Sequence, residues 1–321
     1  MSKILILGGG GMIGQKLAKR VIETNVMANS ELTLFDRAFT SNALVAKTMT
    51  GNLANPTTAK TLAASRPEVI FHLAAIVSGQ AEAEFNLGWN VNMMAMWHLL
   101  NALKVEHEAS GCTYRPRLVF TSSIAVFGGP YPEKIGDEFL SAPQTSYGAQ
   151  KATCELMVND FSRKGIIDGL SLRLPTICVR PGKANAAASS FFSGIIREPL
   201  NGFEAILPVA DTVRHWHASP RAAAQFLIHA ALLDTKILNG RRALNLPGFS
   251  CTVAEQIEAL RHAAGQKAVD LIKSVPDETI INMVSGWPRD FQPDRAISLG
   301  FEAEKSFNEI IEVYMQDDLS T

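Results

Sequence analysis

Tyr147-Gly-Ala-Gln-Lys151 sets a phenol and an ammonium four residues apart at the start of a stretch with helical spacing, so both project from one helix face. A phenol with an ordinary pKa of about 10 is a poor base at neutral pH. A neighbouring ammonium favours the phenolate, and the pair then suits removal of a proton from a hydroxyl group. Thr121-Ser122-Ser123 closes the apolar run Leu118 to Phe120, which reads as a strand. Ser123 thereby supplies a hydroxyl able to orient the reacting group and stabilise a developing carbonyl oxygen. A Tyr-x-x-x-Lys spacing is common by chance. Its weight here comes from the serine at the carboxyl end of a strand, where α/β sheets bind ligands.

A second chemical feature lies at the start of the chain. Lys3-Ile-Leu-Ile-Leu7 leads into Gly8-Gly-Gly-Gly-Met-Ile-Gly14, and helical spacing follows. Gly8, Gly11 and Gly14 thus sit at a strand-to-helix turn. Absent side chains there let a pyrophosphate approach the backbone amides, and the helix dipole favours its charge. Asp36 ends the next apolar run 22 residues after Gly14, placed to accept hydrogen bonds from a ribose diol and to repel a 2′-phosphate. The expected cofactor is therefore NAD rather than NADP, with Arg37 read as a solvated loop charge.

The groups are carried by short apolar runs at Lys3 to Leu7, Glu31 to Phe35, Val69 to Leu73, Leu118 to Thr121 and Gly169 to Leu174. Helical spacing intervenes at Gln15 to Glu23, Asn92 to Val105 and Ser146 to Phe161. That alternation predicts an α/β fold, a Rossmann-type doubly wound parallel sheet with a smaller C-terminal mixed α/β substrate domain. The expected boundaries are 1–175 for the NAD-binding domain, with 213–246 returning to it, and 176–212 with 247–321 for the smaller one. Beyond residue 175, helices are expected at Pro220 to Leu233, Val253 to Ala264 and Ser306 to Tyr314.

Lys and Arg number 30 against 31 Asp and Glu, which offers no basic field for nucleic acid or an anionic membrane. Hydrophobic residues make up 47% of the chain, enough for a sizeable core, yet no apolar run reaches the ~18 residues of a membrane span. With no secretory signal at its start, a soluble, cytoplasmic protein is expected. Cys112, Cys154, Cys178 and Cys251 form no Cys-x-x-Cys pair and are read as core thiols. His215-x-His217 has no third ligand at helical or turn spacing, so no metal is expected.

Together these motifs resemble the extended short-chain dehydrogenase/reductase superfamily of NAD-dependent epimerases and dehydratases. The matching residues are Gly8/Gly11/Gly14, Asp36, Phe71-His-Leu-Ala-Ala75, Asn90-Val-Asn92, Ser122-Ser-Ile-Ala-Val-Phe-Gly128, Tyr147-x-x-x-Lys151, Leu172-Arg-Leu174 and Asp294-Arg-Ala-x-x-Leu-Gly-Phe301. They follow the family's order over nearly the whole chain. The resemblance implies that Ser123, Tyr147 and Lys151 form the catalytic set, with Lys151 holding the ribose and lowering the Tyr147 pKa. It also implies a cofactor-binding set of Gly8, Gly11, Met12, Ile13, Gly14, Asp36, Asn52, Leu53, Leu73, Ala74, Ala75, Asn90, Tyr147, Lys151, Pro175 and Ile177, and a homodimer.

Some segments depart from the family pattern. Asn52 stands where an aspartate is frequent. Arg214-His-Trp-His-Ala-Ser-Pro-Arg221 keeps only Arg214 and an aromatic of the nucleotide-sugar pattern, and the segment 180–192 is not built for a nucleotide diphosphate. A smaller substrate is implied. Within the superfamily this combination resembles the D-erythronate dehydrogenase branch, which oxidises the C2 hydroxyl of a four-carbon sugar acid. Such a carboxylate calls for a cation; Arg214 is the first candidate, with Arg180 and Lys183 behind it. Two other readings stay open, a sugar-nucleotide epimerase or dehydratase that recycles its NAD, and a non-catalytic dinucleotide sensor. Intact Ser123, Tyr147 and Lys151 speak against the sensor.

Overall fold

Ile4-Leu-Ile-Leu7 is apolar without alternation, the pattern of a strand covered on both faces. In the computed structural model of the chain, which describes residues 2–27, 30–39, 46–182 and 189–319, this run is fully buried in the middle of a seven-stranded sheet. Its strands are β1 (Ser2–Leu7), β2 (Ser30–Asp36), β3 (Lys47–Thr50), β4 (Val69–His72), β5 (Arg117–Ser123), β6 (Asp168–Leu174) and β7 (Ala243–Asn245). Their order is β7-β6-β5-β4-β1-β2-β3. β1 runs parallel to β2, from Ser2 beside Ser30 to Leu7 beside Phe35, and parallel to β4, from Ile4 beside Val69 to Leu7 beside His72. β3 on β2 and β5 on β4 are parallel as well.

The chain builds outward from β1 to β3 on one side and from β4 to β7 on the other. The order reverses between β1 and β4, so the loops leaving their carboxyl ends diverge, which is where open α/β sheets bind ligands. Helices α1 (Met12–Thr24), α2 (Pro56–Ala64), α3 (Ala95–Ala109) and α4 (Ser146–Arg163) alternate with these strands. Leu62 of α2 and Leu99, Leu100 and Leu103 of α3 pack into one core with Leu118 and Phe120 of β5. Each fully buried leucine contributes about 1.5–3 kcal/mol.

The chain divides into two compact units, one of Met1–Val126, Thr145–Arg173 and Ala224–Leu244, the other of Phe127–Gln144, Leu174–Ala223 and Asn245–Thr321. The second unit holds a three-stranded sheet of Thr176–Ile177, Arg214–Ala218 and Phe249–Thr252. Its core gathers Phe192, Ile195, Ile196, Leu260, Ile310 and Ile311. Residues 213–223, expected with the dinucleotide-binding domain, lie in this unit because Arg214–Ala218 pairs antiparallel with Phe249–Thr252, Arg214 beside Thr252. Residues 127–144 also belong to it, through strand Ile135–Gly136 paired with Phe291–Gln292.

Two local expectations are revised. The helix expected from Asn92 opens as a π-helical turn, Trp89–Met94, which takes in Asn92 itself. Cys154, Cys178 and Cys251 are buried, but Cys112 is exposed. It sits at φ +63° just after α3, where its N–H donates to the His107 carbonyl at 2.9 Å, so the turn that ends the helix turns the thiol outward. Among the described residues no helix is long and apolar enough to cross a membrane.

Candidate active site and dinucleotide-binding turn

The Thr145 hydroxyl accepts the Gly148 N–H at 3.1 Å, capping α4 so that Tyr147 falls in its first turn and Lys151 one turn further on. Lys151 is only 2% exposed. Its ammonium donates to the Thr121 carbonyl at 2.8 Å and lies 4.7 Å from the Phe120 ring centroid and 5.5 Å from that of Tyr147. The backbone of β5 thus fixes the ammonium beside the phenol. Burial pushes the Lys151 pKa down to about 8, opposed by Cys154 and Glu155. Ser123, half-buried, ends β5; its Oγ accepts the Ala125 N–H at 3.1 Å, which leaves the hydroxyl proton to donate.

Several supporting residues had no role assigned from the sequence, although Asn92 and His72 stand within the matched motifs. Asn92, buried in the π-helical turn, accepts the Ile76 N–H at 2.8 Å, and its amide donates to the Ile76 carbonyl at 3.2 Å and to Gln150 Oε1 at 2.8 Å. It ties the segment after β4 to α4. His72, fully buried at the end of β4, stands edge-on to Phe120 at 5.7 Å, and burial, then Lys151, push its pKa down to about 3. Glu155 follows Lys151 by one helical turn and is 7% exposed. The spacing Lys151 to Glu155 was a legible signal; the burial was not.

In the glycine turn the residues have separate tasks. Gly8 has φ +87°, and a Cβ there would stand 2.7 Å from the Ala74 nitrogen. A Cβ at Gly14 would collide with the Gly8 carbonyl oxygen and lie 2.8 Å from Gly9 Cα. Both glycines are demanded by the fold. Among the described residues, a Cβ on Gly11 would meet only the Gly8 carbonyl oxygen, at 3.4 Å. Gly11 is exposed and stands at the N-cap of α1 with no side-chain cap and no acidic residue in the first turn. The open space beside it, facing uncapped helix amides, fits the pyrophosphate of a dinucleotide. Met12 and Ile13, half-exposed, supply the next two amides.

Asp36 ends β2 with one carboxylate oxygen accepting the Gly10 N–H at 2.9 Å and the other the Arg37 N–H at 2.7 Å. Each oxygen keeps a lone pair for a ribose hydroxyl. Arg37 is exposed. Asp36→Asn keeps acceptor capacity but removes the charge, and is expected to shrink the preference for NAD over NADP at least tenfold, about 1.4 kcal/mol. Kinetics with both cofactors check it; equal efficiency with NADP in the unmutated enzyme would be the contrary result.

The remaining expected residues fall as follows. The amides of Leu73 and Ala74 donate to the Leu7 carbonyl at 2.8 and 2.9 Å, which holds Leu73, Ala74 and Ala75 next to the glycine turn. Asn52 is exposed and closes its own turn, Oδ1 accepting the Ala54 N–H at 3.1 Å. Leu53 is 5% exposed with its side chain in the core, so its backbone is what a cofactor can meet. Asn90 is exposed in the π-helical turn. Pro175 and Ile177 are buried in the second unit. Between them, the Thr176 hydroxyl bonds His215 Nε2 at 2.7 Å. His215 Nδ1 lies 2.9 Å from the Pro288 carbonyl, which can only accept, so the ring proton sits on Nδ1 and Nε2 accepts from Thr176. Burial lowers the His215 pKa to about 4 and keeps the ring neutral. Among the described residues no cluster of His, Cys, Asp or Glu could hold a metal ion.

Arg214 is already engaged, its guanidinium donating to the Ser250 carbonyl at 3.1 Å and to Glu255 Oε2 at 3.1 Å. Arg180 donates from Nε to the Ile177 carbonyl at 2.8 Å and from Nη2 to Ser189 Oγ at 3.2 Å. Lys183 lies outside the described residues.

A doubly wound sheet with a glycine turn at its switch point, an acidic residue ending β2 and a buried lysine beside a tyrosine define a class, the dinucleotide-dependent α/β oxidoreductases. The chain belongs to the NAD dependent epimerase/dehydratase family, whose model matches residues 4–218; NAD is its cofactor and it is an NAD-dependent oxidoreductase. It is similar to D-erythronate dehydrogenase of Cupriavidus necator, 43% identical over 323 aligned positions covering 98% of each chain. It is likewise similar to D-erythronate dehydrogenase of Haemophilus influenzae, 40% identical over 320 positions covering 99% of this chain and 100% of that one. A structure described as the nucleoside-diphosphate-sugar epimerase from Agrobacterium tumefaciens superposes with a TM-score of 0.94 at 50% identity, covering 99% of this chain and 94% of that one. L-threonine dehydrogenase from Clostridium difficile, with a TM-score of 0.85 at 21% identity over 98% of this chain and 97% of that one, shares the fold.

Proposed function

We propose that the chain oxidises the C2 hydroxyl of a small sugar acid, D-erythronate or a close analogue, to the 2-oxo acid. The observation that carries this reading is end-to-end similarity to two D-erythronate dehydrogenases, at 43% and 40% identity. Tyr147 accepts the hydroxyl proton as general base. Ser123, with one lone pair engaged by the Ala125 amide, donates its proton to the same oxygen as it gains carbonyl character. Lys151, fixed by the Thr121 carbonyl, stabilises the phenolate. Bound NAD supplies the acceptor for the hydride leaving C2.

Arg214 is the proposed partner of the substrate carboxylate, and it must exchange Glu255 for it. That pair is a surface one, with side chains 38% and 55% exposed. Such pairs are worth about 0–1 kcal/mol, so the exchange costs little. Arg214→Ala is expected to lower the ratio of kcat/KM for D-erythronate over that for uncharged erythritol at least tenfold, about 1.4 kcal/mol. An unchanged ratio assigns the carboxylate to another residue.

The Agrobacterium tumefaciens structure, 50% identical and described as an epimerase, favours a second reading in which NAD is recycled. A panel of four- to six-carbon aldonates with NAD, followed by NADH absorbance, separates the two. Net NADH with D-erythronate is the expected result. No NADH with any aldonate, together with turnover of a nucleotide sugar, overturns the dehydrogenase reading.

A further inference from the structure

Glu155 is a carboxylate buried on α4 to 7% exposure, one turn beyond Lys151 and therefore on the same helix face. Ser122 Oγ donates to its Oε1 at 2.5 Å. Arg173 of β6 grips both oxygens, Nε at 3.0 and 3.2 Å and Nη2 at 2.7 Å, with its own side chain 13% exposed. Ser122 stands between Thr121, whose carbonyl receives the Lys151 ammonium, and Ser123. One carboxylate thus reaches the strand end that carries the serine and the helix face that carries the lysine. A buried ion pair is weak evidence for added stability, since apolar replacements of similar volume are often as stable.

We propose that Glu155 is a positioning residue for the candidate catalytic set: clamped by Arg173, its carboxylate holds the end of β5 through Ser122 and sets an anion one helical turn beyond the Lys151 amine. The proposal rests on the reading of Lys151 given above. The groups facing Lys151 are Tyr147, Cys154 and Glu155 on α4, Phe120 and the Thr121 carbonyl on β5, and His72 on β4, with Arg173 of β6 acting through Glu155. Burial holds His72 neutral above about pH 3 and pushes the Cys154 thiol up to about 12. Neither charges near pH 8, where the buried Lys151 titrates. Glu155 is then the carboxylate on the lysine's helix face, and Arg173 the guanidinium paired with it.

The sign follows from the charges. Removing the anion disfavours the protonated lysine, so its titration midpoint falls; removing the arginine strengthens the anion's field, so the midpoint rises. The test is 13C NMR titration of the full-length protein labelled at lysine, with the Lys151 signal identified by its loss in Lys151→Met. Glu155→Gln is expected to lower the midpoint by about one pH unit or more, and Arg173→Met to raise it. The alkaline limb of kcat on D-erythronate should move in the same two directions, because activity is lost as Lys151 deprotonates. A purely structural clamp would not give shifts of opposite sign. A midpoint unmoved in both variants, or moved the same way in both, overturns the proposal. If Glu155→Gln fails to fold, the direction of the Arg173→Met shift decides alone. Opposite shifts in a protein that does not oxidise sugar acids uphold this inference and retire only the substrate reading.

Discussion

Tyr147→Phe is expected to bind NAD nearly as well as the unmutated protein and to lose at least ~10²-fold in turnover of D-erythronate, the lower range for removing a general base. The substitution deletes one oxygen and leaves the frame. The ring position 5.5 Å from the Lys151 ammonium is kept, as are the Thr145 cap of α4 and the hydrogen bond from Lys151 to the Thr121 carbonyl. What disappears is the proposed acceptor for the substrate's hydroxyl proton, and a phenyl ring offers no replacement. Steady-state kcat together with NAD affinity by calorimetry reads the two effects separately. Turnover within about threefold of the unmutated enzyme would remove Tyr147 from the mechanism; a matching loss of NAD affinity would make it a binding residue instead.

Gly11→Val and Gly14→Ala are expected to fail in opposite ways. Gly11 has extended backbone, φ −75° and ψ 165°, and the added side chain enters open space. Gly11→Val should therefore fold with a Tm close to that of the unmutated protein while NAD affinity falls at least tenfold, because the branched side chain occupies the approach of the pyrophosphate to the α1 amides. Gly14→Ala drives a methyl into the Gly8 carbonyl and against Gly9 Cα. Overpacking of this kind costs about 2 kcal/mol, which for a chain of this size lowers Tm by roughly 3 °C. Thermal melts and NAD titrations of both variants check the contrast. A Gly11→Val protein that binds NAD normally would show that the dinucleotide does not approach the turn at that residue.

Several elements were legible in the local pattern, because caps and periodicity act within a few residues. The helix expected at Val253 to Ala264 is found with those bounds, set by a capping box in which the Thr252 hydroxyl accepts the Glu255 amide and the Glu255 carboxylate accepts the Thr252 amide. The apolar run at Lys3 to Leu7 likewise marked a strand of a parallel sheet, and the glycine spacing marked the turn after it; its central place came from the structure. Pairings between distant residues were decided only by the tertiary structure. Whether 213–223 joined one unit or the other depended on Arg214 pairing with Thr252 rather than with the large sheet. Which glycine serves the fold and which leaves room for a ligand depended on Ala74, some 60 residues away, closing over Gly8 and leaving Gly11 open. Glu155 read as one more helix acid until Ser122 and Arg173, 33 and 18 residues away, enclosed it. Arg214 had the chemistry of a carboxylate reader, and the fold supplied Glu255 as its resident partner. Local pattern records which face of an element avoids water; it carries no record of which charge will be desolvated beside which, since that depends on elements brought together by packing.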